Sequence, residues 1–276
     1  MTKDSPLIET ESVAAAIRTA LLTGEPTAKV MATRKVAREW RLGRLAPARG
    51  IAFDIAMPER PARPEQPLLL RPRDMPRRGK GGSERGRIAL LHALAHIEFT
   101  AIDLALDMAG RFGGTEGPHF VSDWLSVAAD EALHFALLER RLRTLGSHYG
   151  ALPAHDGLWE SAHATRHDVL ARLAIVPMVL EARGLDVTPV TIERFRAAGD
   201  EASARVLERI FQDEIRHVRF GTTHFATLCE SRGIPPAQTW RSLVTAHFTG
   251  SIKPPFNDSA RAKAGLPREL YGGIAL

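Results

Sequence analysis

The chain has 276 residues, 44% hydrophobic and 25% charged, which is an ordinary composition for a soluble globular protein. No stretch reaches the run of about 18 apolar residues that a membrane helix needs, and the N-terminus lacks the apolar core of a signal peptide. A single cysteine, Cys229, excludes an internal disulfide and fits a reducing compartment. These features exclude a disulfide scaffold and predict a cytoplasmic protein that does not engage a membrane.

The formal net charge is +5, and one segment carries it. Residues 60–87 hold nine Arg or Lys and three acids, so the rest of the chain is close to neutral. Prolines recur through the same region, and each removes a backbone donor and disfavours helix at the preceding residue. They are Pro58, Pro61, Pro64, Pro67, Pro72 and Pro76. We predict an arm that packs on the body, with RNA binding as the alternative.

Helical patterns occupy most of the remaining chain. Ser12 is positioned to cap a short helix through Leu22, and a basic helix follows from Pro26 to about Leu42. Four long patterns then run over about 83–112, 118–145, 158–183 and 188–232. They are expected to end at Gly113-Gly114, Gly146, Gly184 and Gly233, with a kink at Pro177 and a break at Gly199-Asp200.

A shorter helix from Pro236 to Phe248 and an irregular tail close the chain. Continuous strand alternation is absent, so the sequence predicts an all-α protein. Its expected parts are N-terminal helices and arm (1–82), a four-helix core (83–232), and a C-terminal helix and tail packing on that core (233–276).

Two of the long helices carry the same short motif. Asp130-Glu131-Ala132-Leu133-His134 and Asp213-Glu214-Ile215-Arg216-His217 both read Asp-Glu-x-x-His. Residues three apart share a helical face, so the Glu and His of each motif can reach one ion. One such motif is weak evidence, because chance and surface ion pairs often produce it. Two on separate long helices favour a metal site.

The other two helices each offer one carboxylate in an apolar setting. Glu98 precedes the first motif's glutamate by 33 residues, and Glu181 precedes the second's by the same distance. Adding 83 to positions 98, 131 and 134 gives 181, 214 and 217. A duplicated helix pair would produce this register and would place all six groups around one centre. The alternative is that these residues are solvated ion pairs on helix faces.

The residue types fit two divalent transition metals. Four carboxylates balance the charge of two such ions, and imidazole suits iron and manganese. We therefore expect two Fe ions, with Mn or a mixed Mn/Fe pair as the alternatives, held by Glu98, Glu131, His134, Glu181, Glu214 and His217. Glu131 and Glu214 are the expected bridges. Asp130 and Asp213 are placed to accept the remaining imidazole N–H groups, unless they are ordinary surface acids.

At these residues the sequence resembles the ferritin-like di-iron carboxylate superfamily, over roughly residues 83–232. The resemblance implies that each Asp supports the His of the opposite half, pairing Asp130 with His217 and Asp213 with His134. More narrowly, the chain is similar to a bacterial ferritin-like family known as a domain of unknown function and akin to MiaE-type tRNA hydroxylases. The segments 152–159, 181–186 and 253–257 carry that closer similarity.

The leading functional prediction is an O₂-activating oxidoreductase, most simply a hydroxylase or monooxygenase of an unknown small organic substrate. It would need an external electron donor, because the chain shows no flavin or nicotinamide motif. An iron-binding, ferroxidase or storage protein is the alternative, and a tRNA-modifying hydroxylase is a third. The oligomeric state stays open, with a homodimer among the alternatives. His224, seven residues after His217, is interpreted as a polar core residue rather than as part of a channel.

Overall fold

The computed structural model describes residues 11–46, 55–76 and 83–272, and this part of the chain is helical. Its only β contacts are two isolated bridges, Ser12 with Ala46 and Leu69 with Ala154, so the predicted all-α class is confirmed for the described residues. The helices are α1 Val13–Leu21, α2 Pro26–Arg41, α3 Glu84–Glu116, α4 Pro118–Thr144, α5 Gly157–Ala164, α6 Val169–Ile175, α7 Ala182–Ala197, α8 Glu201–Ser231, α9 Pro236–His247, α10 Asp258–Lys263 and α11 Arg268–Tyr271.

The two N-terminal helices form as the sequence predicts. The Ser12 hydroxyl accepts a hydrogen bond from the Ala15 amide at 3.1 Å and so satisfies one of the free donors at the start of α1. Both helices lie against the long α3–α4 pair. Gly110 on α3 faces Ile17 of α1 and Met57, where a Cβ atom would come within 3 Å of both side chains.

Helix α3 is long and contains an extended apolar stretch. Ser83 caps it as predicted, accepting from the Gly86 amide at 3.2 Å. The predicted end at Gly113-Gly114 is wrong, because those glycines keep helical conformation and the chain turns at Gly117, whose φ is +91°. By length and composition α3 could span a membrane, but 67% of its most apolar stretch is buried inside the protein, as in a core helix.

The predicted third helix is wrong in its bounds, because it is broken into pieces. It stops at Ala164 and restarts at Val169, and the break is stabilised by the buried side chain of Arg172. That guanidinium donates to the Ala162 carbonyl at 2.7 Å, to the Thr165 hydroxyl at 3.2 Å and to Asp107 of α3 at 2.6 Å. The Ala162 carbonyl and the Thr165 hydroxyl at the break therefore accept hydrogen bonds from a charged donor. Sequence periodicity does not reveal the long-range contact between Arg172 and Asp107.

The expected distortion at Pro177 takes the form of a π-helical segment, Val176–Glu181. Proline lacks a backbone donor and crowds the preceding turn, and widened turns of this kind are common at functional sites. The helix does not end at Gly184 but continues as α7 to Ala197, with Pro189 inside it. The fourth helix accordingly starts at Glu201, not near Thr188-Pro189.

The turn between α7 and α8 lies where the sequence predicts a break. Gly199 has a φ of +73°, and Asp200 caps α8 by accepting from the Ser203 amide at 3.0 Å. Helix α8 then runs beside α7, and α4 packs against α8. The two helix pairs, α3 with α4 and α7 with α8, thus meet along α4 and α8.

The C-terminal tail is more regular than predicted, since α10 and α11 follow α9. It is fastened to α7 by a buried ion pair in which Arg261 donates to both oxygens of Asp186, at 2.8 and 2.7 Å. The Asn257 amide donates to the same carboxylate at 2.9 Å. These helices are too short for sequence periodicity to predict, and they pack on other elements: α10 on α7 and α8, and α11 on α9 and α10.

The described part of the proline-rich arm, 55–76, packs on the body. Arg63 lies 3.5 Å from the buried Asp103 of α3, and Arg60 bonds to Asp156. The Pro58 carbonyl accepts from Arg111 at 3.1 Å. These contacts support packing for this stretch, whereas the basic residues Arg77, Arg78 and Lys80 lie outside the described residues. Whether they bind RNA stays a prediction.

The close approach of α8 to the π-helical segment gives a first testable expectation. A Cβ atom at Gly221 would lie 2.4 Å from the Cβ of Pro177, so Gly221→Ala forces the two elements apart. We expect a loss of about 1–3 kcal/mol in the free energy of unfolding, the usual range for overpacking. Gly184→Ala is the matched control, because a Cβ there meets no atom within 4 Å. Urea denaturation of both variants would measure this, and equal stability of Gly221→Ala and wild type would contradict the described approach.

Candidate metal centre

Glu131 is the central group of a buried cluster between α4 and α8. It is 1% exposed. Its Oε2 lies 3.2 Å from Nδ1 of His134, one turn further along α4, and its Oε1 lies 2.9 Å from Nδ1 of His217 on α8. One carboxylate therefore faces both histidines of the two motifs. Both motifs have the same Glu-x-x-His spacing. The contact between Glu131 and His217 therefore depends only on how α4 and α8 pack against each other.

Glu98 reaches the same centre from α3. Its Oε2 lies 3.3 Å from Nδ1 of His134. Ligand atoms of Glu98, Glu131, His134 and Glu214 all lie within 4.8 Å of one another, close enough to surround an ion. Helices α3, α4 and α8 therefore all contribute to one compact group.

The second half of the cluster is looser. Glu214 Oε1 lies 3.7 Å from Nδ1 of His217, at the same i,i+3 spacing as in α4. Glu181, the last residue of the π-helical segment, lines the same cavity as Glu98, Glu131 and Glu214, but it is not among the four residues within 4.8 Å. The six predicted residues thus share one buried region, although neither Glu181 nor His217 belongs to the group of four.

Unpartnered oxygens mark this region as fit for cations. Among the described residues, Oε2 of Glu181 and Oε2 of Glu214 are buried without a hydrogen-bond partner. A buried acceptor without a partner is costly, and a bound cation would remove that cost. Oxygen and imidazole donors without a thiolate suit iron or manganese better than a structural zinc. The residues present therefore fit two first-row divalent ions.

The electrostatics of these side chains support the same interpretation. Burial, together with neighbouring carboxylates, raises the pKa of Glu98, Glu181 and Glu214 above the usual value. Burial also opposes ionisation of Glu131, but the charge of His217 and hydrogen bonds from both histidines hold the Glu131 pKa well below its usual range. Three of the four acids therefore favour the neutral form unless positive charge is added.

The pKa of both histidines is raised, and for histidine a raised pKa favours the charged form. Burial disfavours a charged His134, yet hydrogen bonds with Asp213, Glu131 and Glu98 raise its pKa to about 12. The pKa of His217 is likewise raised, since Glu131 and Asp130 outweigh its burial. The surrounding carboxylates thus favour positively charged imidazoles inside the cluster.

Each histidine is held from behind by an aspartate of the other helix. Nε2 of His134 lies 3.1 Å from Oδ2 of Asp213, and Nε2 of His217 lies 3.2 Å from Oδ2 of Asp130. These are the two cross-pairs that the resemblance implies. With Nε2 directed at a carboxylate, Nδ1 of each ring faces the glutamates and is free to act as a ligand once deprotonated.

Two arginines that the sequence analysis did not single out complete this outer layer. Arg209 donates to Asp213 at 2.6 Å, and Arg216 donates to Asp130. The i,i+4 spacing of Arg209 and Asp213 on α8 was a usable signal. The contact of Arg216 with Asp130 on α4 could not be predicted in this way, because it depends on how α4 and α8 pack.

A largely apolar cavity of about 190 Å³ opens beside the acids. Its wall includes Glu98, Glu131, Glu181 and Glu214, and its other side chains are mainly aliphatic. These include Leu94, Ile97, Leu104, Leu158, Leu180, Val187, Leu207 and Ile210. A small apolar group would fit against the cluster there.

Segments that carry the closer family resemblance meet around this cavity. Leu158 lies in the first segment and Arg183 in the second, and both line the wall. Arg183 donates to the carbonyls of Lys253 and Pro255 in the third segment, at 2.9 and 3.1 Å. The first two stretches therefore border this cavity, and the third contacts its wall through Arg183.

Comparison with known proteins gives a family without an assigned activity. The model of the family described as "Protein of unknown function (DUF455)" matches residues 22–272. The chain belongs to this family. It is also 46% identical over 209 residues to an uncharacterized protein of Haemophilus influenzae, covering 74% of this chain and 72% of that protein. No solved structure matches the DUF455 chain significantly. A function for it must therefore be argued from the site.

Proposed function

We propose that this DUF455 protein has a ferritin-like four-helix core and acts as a di-iron oxidoreductase that uses O₂ to hydroxylate a small organic substrate. The observation that carries the proposal is Glu131, buried between His134 and His217. Around it, α3, the π-helical segment and α8 each supply a further carboxylate. Binding of a metal pair is the simplest explanation for this arrangement.

The proposed ligands are Glu98, Glu131, His134, Glu181, Glu214 and His217. When bound, two ferrous ions, or a manganese-containing pair, would supply electrons for O₂ reduction, and an external donor would restore them. Of the two expected bridges, Glu131 is the better supported, because it contacts both imidazoles, whereas Glu214 contacts only His217.

The chain's own residues would fix the geometry and exclude water. Asp130 and Asp213 hold the imidazoles so that Nδ1 faces inward, and a carboxylate partner makes each ring a better donor. The aliphatic wall around the glutamates favours an apolar group over water at that position. These contacts favour chemistry on an organic substrate.

The same wall favours an enzyme over an iron store. A storage protein needs a polar route and space for many ions, whereas this cavity is small and mainly aliphatic. A cytoplasmic location, which the lone buried Cys229 suits, remains part of the proposal. A tRNA substrate stays a third hypothesis, and no contact among the described residues favours it.

Iron loading tests the proposal and separates it from storage. Anaerobic addition of Fe(II) followed by O₂ should load about two more irons per wild-type chain than per Glu131→Ala chain, with O₂ consumed in proportion to a co-purifying or added apolar substrate. Gly184→Leu should lower substrate-dependent O₂ consumption at least about tenfold with metal content unchanged, because Gly184 lines the cavity and has space for a side chain. Uptake of many irons per chain, or no metal at all, would overturn the proposal.

A further inference from the structure

A second cluster of metal-ligating side chains lies on the same two helices, away from the buried centre. His119 and Asp123 are one turn apart at the start of α4, and His224 faces them from α8. One ligand atom of each lies within 4.8 Å of the others. Glu131 follows Asp123 by eight residues and His217 precedes His224 by seven, so roughly 10–12 Å of helix separates the two groups.

The distances suit a single ion. Oδ2 of Asp123 lies 2.8 Å from Nε2 of His224 and 3.3 Å from Nδ1 of His119. Ligands at about 2.0–2.2 Å from one ion lie roughly 2.9–3.5 Å apart, which the two distances from Asp123 nearly match. The two histidine nitrogens lie within 4.8 Å of each other. Aromatic packing holds one of them in place, since the Phe120 ring meets His224 edge-on at 4.8 Å between centroids.

We propose that His119, Asp123 and His224 form a peripheral binding site for one first-row divalent metal ion, such as Fe²⁺, Co²⁺ or Zn²⁺. Two imidazoles and a carboxylate bind these ions in preference to Mg²⁺ or Ca²⁺, which favour ligand sets made of oxygen atoms. Three protein ligands leave coordination positions to water. The His119 side chain is 83% exposed, so an ion held there exchanges with solvent. The inference does not depend on the proposed activity.

Cobalt titration of the full-length protein tests the site, with Co²⁺ as the probe and its visible absorption as the readout. Wild type should bind one equivalent more than the His119→Gln and His224→Gln variants. His148→Gln, a change at an exposed histidine outside the cluster, should match wild type. Replacement of the exposed His119 leaves the core untouched, so a lost equivalent there cannot be attributed to unfolding.

Glu131→Ala separates this inference from the proposed function. If both hold, Glu131→Ala keeps one cobalt equivalent, and Glu131→Ala combined with His119→Gln keeps none. If only the peripheral site exists, wild type binds one equivalent and His119→Gln binds none. Unchanged stoichiometry in both His119→Gln and His224→Gln would show that Asp123 and His224 form an ordinary ion pair, and the inference would fall.

Discussion

Replacing Glu131 by alanine is expected to remove both ions of the buried centre. Its two oxygens lie 3.2 and 2.9 Å from Nδ1 of the two histidines. Among the described residues, the other carboxylates at these rings each contact one imidazole. The neighbouring acids are not placed to replace it, because Glu98 lies against His134 and Glu214 lies against His217. We therefore expect iron content to fall from about two per chain to near zero at the buried site.

Metal analysis after iron loading and dialysis measures this, with circular dichroism to verify the fold. Glu230→Ala, which removes an exposed acid from α8, is the matched control and should retain the pair. Glu214→Ala is also expected to lose the paired site if Glu214 is a bridge. Retention of both ions in Glu131→Ala would contradict the assignment of the centre.

The sequence predicts the cluster well because its geometry is mostly local. Glu131 with His134, and Glu214 with His217, share a helical face through spacing alone. The common interval of 83 residues then relates the two halves before any packing is known. Spacing alone cannot predict the distances within each half, such as the 3.3 Å between Glu98 and His134 and the 3.7 Å between Glu214 and His217.

Helix ends were predicted less well where distant residues decide them. Gly113-Gly114 and Gly184 have the composition of helix ends, yet the chain continues as helix through both. Packing outweighs the small intrinsic cost of glycine in a helix. The break after Ala164 depends on Arg172 and its ion pair with Asp107, residues 65 positions apart. No local pattern encodes such a contact.

Replacing either outer aspartate by asparagine is expected to weaken metal binding about 10–100-fold while the fold is kept. Asp213 accepts from His134 and Arg209, and Asp130 lies against His217 and Arg216. Asparagine preserves size but removes the charge that makes each imidazole a stronger donor. The two variants should behave alike, because each aspartate has the same pair of partner types.

Competition with a chelator measures the affinity, and thermal melting of the metal-free protein reports the fold. Arg209→Gln is the control that separates two roles of Asp213. It removes the exposed arginine and leaves the contact between Asp213 and His134, so metal affinity should change much less than in Asp213→Asn. If instead Arg209→Gln and Asp213→Asn lowered affinity equally, the charge of the ion pair would matter more than the imidazole contact. If both asparagine variants bound metal like wild type, the aspartates would serve only as surface partners of the arginines, and the histidines would need no orienting carboxylate.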